Sequence, residues 1–147
     1  MRILVDTNVF LDLFLNREEF AKDAHNFFSW CANNKNDIYI TSMSLRDIGY
    51  TAHRFFHNKN AAKTVQFAAY EACKKVIGIS ADSAIESLYS DIDDYENSLI
   101  VEAAKEELLD AIVTNNKKDF EKAGFPVFTP REIIKYWLVI NLISLNN

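Results

Sequence analysis

Hydrophobic positions along the chain alternate between two patterns. Short continuous apolar runs at Ile3-Leu4-Val5, Ile38-Tyr39-Ile40, Val76 to Ile79 and Ala111-Ile112-Val113-Thr114 predict buried strands, with Pro126-Val127-Phe128 a short fifth. Between them, apolar residues return at helical spacing. Phe20, Ala24, Phe27, Phe28 and Cys31 define a long amphipathic helix over about 18–32. Leu45, Ile48 and Ala52 mark a helix running towards Phe56, and further helices cover about 60–74 and 81–90. Leu99, Ile100, Ala103, Ala104 and Leu108 belong to a helix opened by Asp93-x-x-Glu96, which reads as a capping box. Asp6 or Thr7 is placed to cap a helix over 9–15, Thr41 or Ser42 the helix after the second strand, and Thr129-Pro130 offers a cap and an N1 proline to the last helix. Short apolar strands alternating with helices predict an α/β fold, a three-layer α/β/α sandwich around a central, mostly parallel sheet of about four or five strands. The 147 residues show no fixed-period repeat and no Ser/Gly linker, so one domain over 1–147 is expected.

Composition narrows the class. Three Gly and two Pro argue against collagen-like, low-complexity and turn-rich all-β chains. Cys31 and Cys73 lack metal-site or redox spacing and read as small buried hydrophobes of a reducing compartment. The first apolar run meets Asp6, unlike a signal or transit peptide, and the run Tyr136 to Ile140 is cut by Asn141, far short of the roughly 20 residues that cross a bilayer. A cytoplasmic protein with no membrane partner is expected. The net charge of −5 disfavours a nucleic-acid partner until it is divided by segment. Residues 82–110 hold ten acidic side chains against Lys105 alone, and the remaining chain carries a net +4. That distribution suits a carboxylate metal site flanked by phosphate contacts, and equally a solvated acidic helix face.

In parallel sheets covered on both sides, ligands sit beyond the carboxyl ends of the strands. The residues at those positions are Asp6, the segment Thr41 to Asp47, and Thr114-Asn115-Asn116 with Asp119. Each has a plainer role available: Asp6 as a helix cap, Asp47 as an acid near a helix N-terminus, Thr114 to Asp119 as turn chemistry. Asp94 and Asn97, at i and i+3, share a face near the start of their helix. Their common placement at one sheet edge is the stronger signal. Carboxylates about 4 Å apart repel by about 4 kcal/mol per pair at an effective dielectric near 20, and a hard divalent cation converts that repulsion into affinity. Mg²⁺ or Mn²⁺ so held lowers the pKa of a water and steadies the leaving oxygen of a phosphodiester, the chemistry of a nuclease or phosphatase.

Four stretches together resemble the PIN domains, the fold of the VapC-type toxins of bacterial toxin–antitoxin pairs. They are Leu4-Val5-Asp6-Thr7-Asn8-Val9-Phe10-Leu11-Asp12, Ile40-Thr41-Ser42-Met43-Ser44-Leu45-Arg46-Asp47-Ile48, Asp94-Tyr95-Glu96-Asn97-Ser98-Leu99, and Ile112-Val113-Thr114-Asn115-Asn116-Lys117-Lys118-Asp119-Phe120. The resemblance implies a metal-dependent endoribonuclease acting on structured RNA, often a homodimer and restrained by a co-expressed antitoxin. By position, Asp6, Asp47 and Asp94 would hold Mg²⁺ or Mn²⁺ directly or through water. Asn116 and Asp119 would complete the far side of the catalytic site, and Asn8 and Thr114 would be hydrogen-bond partners behind it. Asn97 stands where the family usually has a catalytic Asp. It can ligate a cation through its carbonyl oxygen but brings neither charge nor base, so weaker metal affinity is expected, with Asp94 compensating one turn earlier. The second reading is therefore a catalytically weak or inactive PIN-like module that binds RNA or protein.

Arg46, Arg54, Lys59, Lys63, Lys117 and Lys118 lie on or after the helices lining the proposed site and are the candidate RNA contacts. His53 and His57, at i and i+4, have a spacing that can bind zinc, but Arg54 replaces the Glu of a metalloprotease helix, and Phe55 and Phe56 suggest a packing face. Arg46-x₆-His53 resembles the spacing of the metal-free HEPN ribonucleases, an all-helical fold that the strand pattern opposes. His25 reads as a surface or boundary residue. The last helix, apolar on nearly every side from Ile133 to Leu145, is expected to bury one face and offer the rest to another chain, a second copy or an antitoxin.

Overall fold

The computed structural model describes residues 1–145; Asn146 and Asn147, included in the one-domain expectation, lie outside the described residues. Five strands form one sheet: β1 (Arg2–Val5), β2 (Asp37–Thr41), β3 (Lys75–Ile77), β4 (Ala111–Val113) and β5 (Val127–Phe128). Every pairing is parallel, in the order β3-β2-β1-β4-β5. The helices are α1 (Thr7–Phe14), α2 (Glu18–Asn33), α3 (Ser42–Phe56), α4 (Lys59–Glu71), α5 (Ala81–Ser87), α6 (Tyr95–Glu106) and α7 (Pro130–Leu145), with a 3₁₀ turn at Lys117–Phe120.

Strand period two sorts the core into two layers. Ile3, Val5, Ile38, Ile40, Ala111 and Val113 face a cluster with Val9, Phe10, Phe27, Ile48, Ala69 and Ile133. Leu4, Tyr39 and Ile112 face the opposite cluster, with Ile100, Val101, Ala103, Ala104 and Phe120. The strands read as unbroken apolar runs because both faces are covered, each full burial of such a side chain contributing about 1.5–3 kcal/mol. The expected three-layer sandwich is what forms, and its sheet excludes an all-helical HEPN fold.

The chain builds β1, β2 and β3 outward in one direction, then crosses to lay β4 and β5 on the other side of β1. The switch falls between β1 and β4, and a crevice opens there beyond the carboxyl ends of the strands. Val5 stands opposite Val113, so the next residues, Asp6 and Thr114, begin the crevice side by side.

Three local expectations change; the first is Leu108, which lies past the end of α6 at Glu106, exposed and with φ of 55°. Asp94, not Asp93, caps α6, its Oδ1 accepting the Asn97 N–H at 2.9 Å, while Asp93 pairs with Lys122 at 3.1 Å. The capping box Asp93-x-x-Glu96 therefore does not form. Phe55 and Phe56, read as a packing face, are exposed and meet edge to face at 5.0 Å. Cys31 and Cys73 are free thiols, Cys31 buried and Cys73 half-buried, both pushed up to about 12 by burial. In α7, Ile133 is buried, Trp137 packs edge-on to Trp30 at 5.8 Å, and Leu138, Val139 and Ile140 are exposed. No helix among the described residues is long and apolar enough to cross a membrane.

Candidate active site

Asp6 is the first residue past β1 and caps α1, so the capping role is realised at the sheet's carboxyl edge. Its Oδ1 accepts the Thr7 N–H at 2.7 Å, and its Oδ2 accepts from Asn8 Nδ2 at 2.7 Å and the Thr114 hydroxyl at 2.8 Å. With its proton committed to Asp6, the Thr114 hydroxyl accepts from Asn8 Nδ2 at 3.1 Å and the Asn116 N–H at 3.0 Å, which uses every hydrogen-bonding capacity it has. Asn8 Oδ1 in turn accepts the Asn115 N–H at 3.1 Å. These bonds occupy three of roughly four lone-pair directions on Asp6 and leave one open. Burial pushes the Asp6 carboxyl above the usual carboxylate range, the bonds from Thr114, Thr7 and Asn8 pull it back, and the charge of Asp119 adds to the rise.

Behind this corner lies Asp12, only 2% exposed, which accepts from Asn115 Nδ2 and pairs with Arg17 at 3.4 Å. Burial raises its carboxyl, and Asn115 and Arg17 oppose the rise. Asp12 belongs to the first motif stretch, yet its supporting role is not among the sequence expectations. The signal was present: Asn8 and Asp12 are i and i+4 on α1 and hold the Asn115 backbone and side chain respectively.

The opposite wall comes from helix starts. Asp47, half-buried on the second turn of α3, is gripped by its neighbour Arg46 at 2.8 Å from Nε and 2.7 Å from Nη2. Glu96, on the first turn of α6, lines the same pocket as Asp47. Burial raises the Glu96 carboxyl, the charges of Asp47 and Asp94 raise it further, and the charge of Arg46 opposes them. Its spacing from Asp93 assigns Glu96 to helix capping, so sequence reasoning misses it as a site residue.

These walls enclose a pocket of ≈ 310 Å³ lined by Asp6, Thr7, Asn8, Asp47, Asp94, Glu96, Asn97 and Asn116. Thr114 is buried beneath it, bonded to Asp6. Asp119 instead lines a neighbouring cleft of ≈ 200 Å³ with Lys118 and Asp94, so Asp94 borders both spaces. Among the candidate RNA contacts, Arg46 sits on Asp47, Lys117 pairs with Glu132 at 3.1 Å, and Lys118 borders the cleft. Arg54 lies over the Tyr50 ring at 5.8 Å, Lys63 lines an apolar groove with Leu45, Phe67 and Tyr70, and Lys59 is exposed on the first turn of α4; none of these three lines the pocket. His53 and His57 are exposed, and His57 ends α3 in the left-handed conformation with φ of 51°.

As the side chains stand, no three His, Cys, Asp or Glu side chains among the described residues form a group that could hold a metal ion. The donor set still fits a hard divalent cation. The pocket's polar lining offers oxygen from four carboxylates and three amides, with neither thiol nor imidazole. Mg²⁺ keeps several waters and binds through one or two carboxylates, so an open ring of oxygens around one space matches its habits better than a closed cage.

A five-stranded parallel sheet with an acidic crevice at its switch point defines the class: a doubly wound α/β domain whose site is made of hard oxygen ligands. The chain belongs to the PIN domain family, whose model matches residues 2–118. It is similar in fold to VapBC2 of Rickettsia felis bound to a fragment of its promoter DNA (TM-score 0.70, 19% identity, 88% of this chain and 98% of that one). It is also similar to DNA-bound VapBC of Salmonella typhimurium (TM-score 0.65, 18% identity, 88% and 98%) and to FitAcB of Neisseria gonorrhoeae (TM-score 0.64, 16% identity, 87% and 97%). No curated protein matches the sequence.

Proposed function

We propose that this protein is a Mg²⁺- or Mn²⁺-dependent endoribonuclease, the toxin component of a toxin–antitoxin pair acting in the cytoplasm. The observation that carries the proposal is the pocket at the β1/β4 switch point, lined by Asp6, Asp47, Asp94 and Glu96 together with Asn8, Asn97 and Asn116. Membership of the PIN family and likeness in fold to the two VapBC structures and to FitAcB support the toxin reading.

Asp6, Asp47 and Asp94, with the Asn97 carbonyl oxygen, would hold the ion directly or through water. When bound, it supplies a water of lowered pKa and charge for the leaving oxygen of the phosphodiester. The chain's own part is positioning. Asn8 and Thr114 keep Asp6 in one orientation by donating to the same oxygen. Asn116, tied by its N–H to Thr114, and Asp119 in the adjoining cleft bound the far side. Arg46, Lys117 and Lys118 at the rim contact RNA phosphates, and Arg54, Lys59 and Lys63 extend that track along α3 and α4. Exposed Leu138, Val139 and Ile140 of α7 offer an apolar face to a second copy of the chain or to an antitoxin.

The test is cleavage of a structured RNA with added Mn²⁺, with and without chelator, by the wild type and Asp6→Asn. Cleavage that both chelator and Asp6→Asn abolish supports the proposal. Chelator-resistant cleavage overturns the metal mechanism, and RNA binding without cleavage in Mn²⁺ leaves the binding-module reading in its place.

A further inference from the structure

Helix α3 runs away from the pocket with one face buried and one in solvent. Ser44, Ile48, Gly49 and Ala52 are buried, and Gln66 of α4 lies where a Gly49 side chain would stand, donating to the Leu45 carbonyl at 3.0 Å. Arg46, Tyr50 and Arg54, four residues apart, form an exposed stripe on the other side. We infer that the ring of Tyr50 is a stacking platform for an unpaired base of the RNA substrate, beside the nucleotide whose phosphate enters the pocket. The inference rests on the ribonuclease reading above and narrows its substrate to RNA unpaired at the cleavage site.

Three observations converge on Tyr50. The first is its immediate setting. The side chain is 62% exposed, and Arg54 lies over the ring at 5.8 Å and donates to its hydroxyl at 3.4 Å. Arg46 stands one turn earlier, on Asp47. A lone exposed aromatic is ordinary on a protein surface. A tyrosine between two arginines is not, because a ring stacks a base and guanidinium groups attract the phosphates that flank it.

The second is continuity with the pocket. Asp47 lines it, and Tyr50 follows Asp47 at i+3, about 4.5 Å further along the helix axis. A base on Tyr50 and a phosphate at the pocket therefore belong to neighbouring nucleotides.

The third is charge. The chain has 21 acidic residues, yet none falls between Ile48 and Tyr70. That stretch carries Arg54, Lys59 and Lys63 and, besides Tyr50, the exposed rings of Phe55, Phe56, Phe67 and Tyr70. Basic groups interleaved with exposed rings, and no carboxylate to repel phosphate, suit a single strand of nucleic acid. A protein partner would also cover these rings, but the stripe starts at the wall where the phosphodiester is to be cut, so RNA fits both features. A base within a duplex is already stacked and leaves no face for Tyr50, so the bound nucleotide is unpaired.

The test is binding of two fluorescein-labelled RNAs, an unpaired strand of about 12 nucleotides and a blunt duplex of the same length, read by fluorescence anisotropy in Mn²⁺ at low salt. The parent protein is Asp6→Asn, which the ribonuclease reading makes unable to cut, and Tyr50→Phe or Tyr50→Ala is added to it. Circular dichroism checks the fold and sedimentation velocity the oligomeric state. Tyr50→Ala is expected to weaken binding of the strand by about 5- to 100-fold, the worth of one stacked base, and to leave the duplex unaffected. Tyr50→Phe keeps the ring and is expected to stay within about 2-fold of the parent. The slope of log affinity against log salt should not change in Tyr50→Ala, because a ring neutralises no phosphate. Parent-like strand affinity in folded Tyr50→Ala, a reduced salt slope, or equal losses on strand and duplex overturns this inference and leaves the ribonuclease reading standing. A changed oligomeric state in Tyr50→Ala also overturns it, assigning the ring to a contact between chains. Failure of the parent to bind either probe overturns it as well, and the ribonuclease reading falls too if the wild type leaves both probes uncut in Mn²⁺.

Discussion

The two walls of the pocket are built on different principles. The β1/β4 corner is assembled by sheet register: Asp6 and Thr114 follow paired strands, and the bonds from Thr7, Asn8, Thr114, Asn115 and Asn116 run inward to buried Asp6, Asp12 and Thr114 or to half-buried Asn8. The α3/α6 wall is assembled from helix starts, with exposed or half-buried acids that crowd one another and are steadied by Arg46. The corner is fixed before any ion arrives, whereas the wall is a set of mutually repelling groups that an ion would settle. Preorganisation and charge are thus divided between two regions, and each division can be broken separately.

The largest effects are expected in the corner. Asp6→Asn should reduce Mn²⁺-dependent RNA cleavage to background, and Asn8→Ala should lower its initial rate by about 10–100-fold by freeing the Asp6 carboxylate to turn. Asp93→Asn, outside the pocket, should leave the rate unchanged. A wild-type rate in Asn8→Ala would show that the fixed orientation of Asp6 is irrelevant to the chemistry.

Stability should separate the walls next. Thr114→Val strips a buried carboxylate of one donor and the Asn116 N–H of its acceptor, which costs about 1–3 kcal/mol in urea unfolding. Asp47→Asn relieves repulsion at a partly solvated place and should stay within about 0.5 kcal/mol of wild type. Equal losses would erase the distinction between a built corner and a charged wall.

The pH dependence follows from Asp6 and Glu96, both raised above the ordinary carboxylate value by burial first. A raised folded-state pKa means that the ion-free native protein holds protons the unfolded chain has lost. These two groups therefore favour folding more as pH falls through the interval from their folded pKa down to the unfolded value, and less as it rises. Mn²⁺ needs Asp6 ionised, so the increase in melting temperature on adding Mn²⁺ should be full near about pH 7.5 and fade before the usual carboxylate range is reached. A Mn²⁺ effect unchanged down to about pH 4.5 would contradict the assignment of Asp6 to the ion.

The smallest effect lies at the rim. Reversing the charge of Lys117 and Lys118 should weaken RNA binding at low salt and reduce the slope of log affinity against log salt by about 0.7 for each phosphate no longer neutralised. Stability should fall by no more than about 1 kcal/mol through the exposed Lys117–Glu132 pair. An unchanged salt slope removes both lysines from the RNA footprint.

What the sequence makes legible follows the same division. Strand positions are encoded locally by unbroken apolar runs, and the carboxyl-end rule then sets Asp6 and Thr114 at one sheet edge from the order of residues alone. The α6 start is not legible, because Asp93-x-x-Glu96 and Asp94-x-x-Asn97 offer equivalent local spacings for a cap. In the folded chain Asp94 takes the cap, while Asp93 meets Lys122, which is distant in sequence. Asp12 and Asn115 are hidden for a related reason: their bond spans 103 residues and leaves no pattern other than the i, i+4 relation of Asn8 to Asp12. Phe55 and Phe56 show the reverse error, since an aromatic pair at a helix end looks like core but stands in solvent.

The most direct test of the central claim is a crystal of the wild-type protein soaked in Mn²⁺ and measured at a wavelength where manganese scatters anomalously. One strong anomalous peak is expected in the pocket between Asp6 and the wall of Asp47 and Glu96, bordered by Asp94. A peak only elsewhere, or carboxylates unchanged around a pocket without one at saturating Mn²⁺, would contradict it.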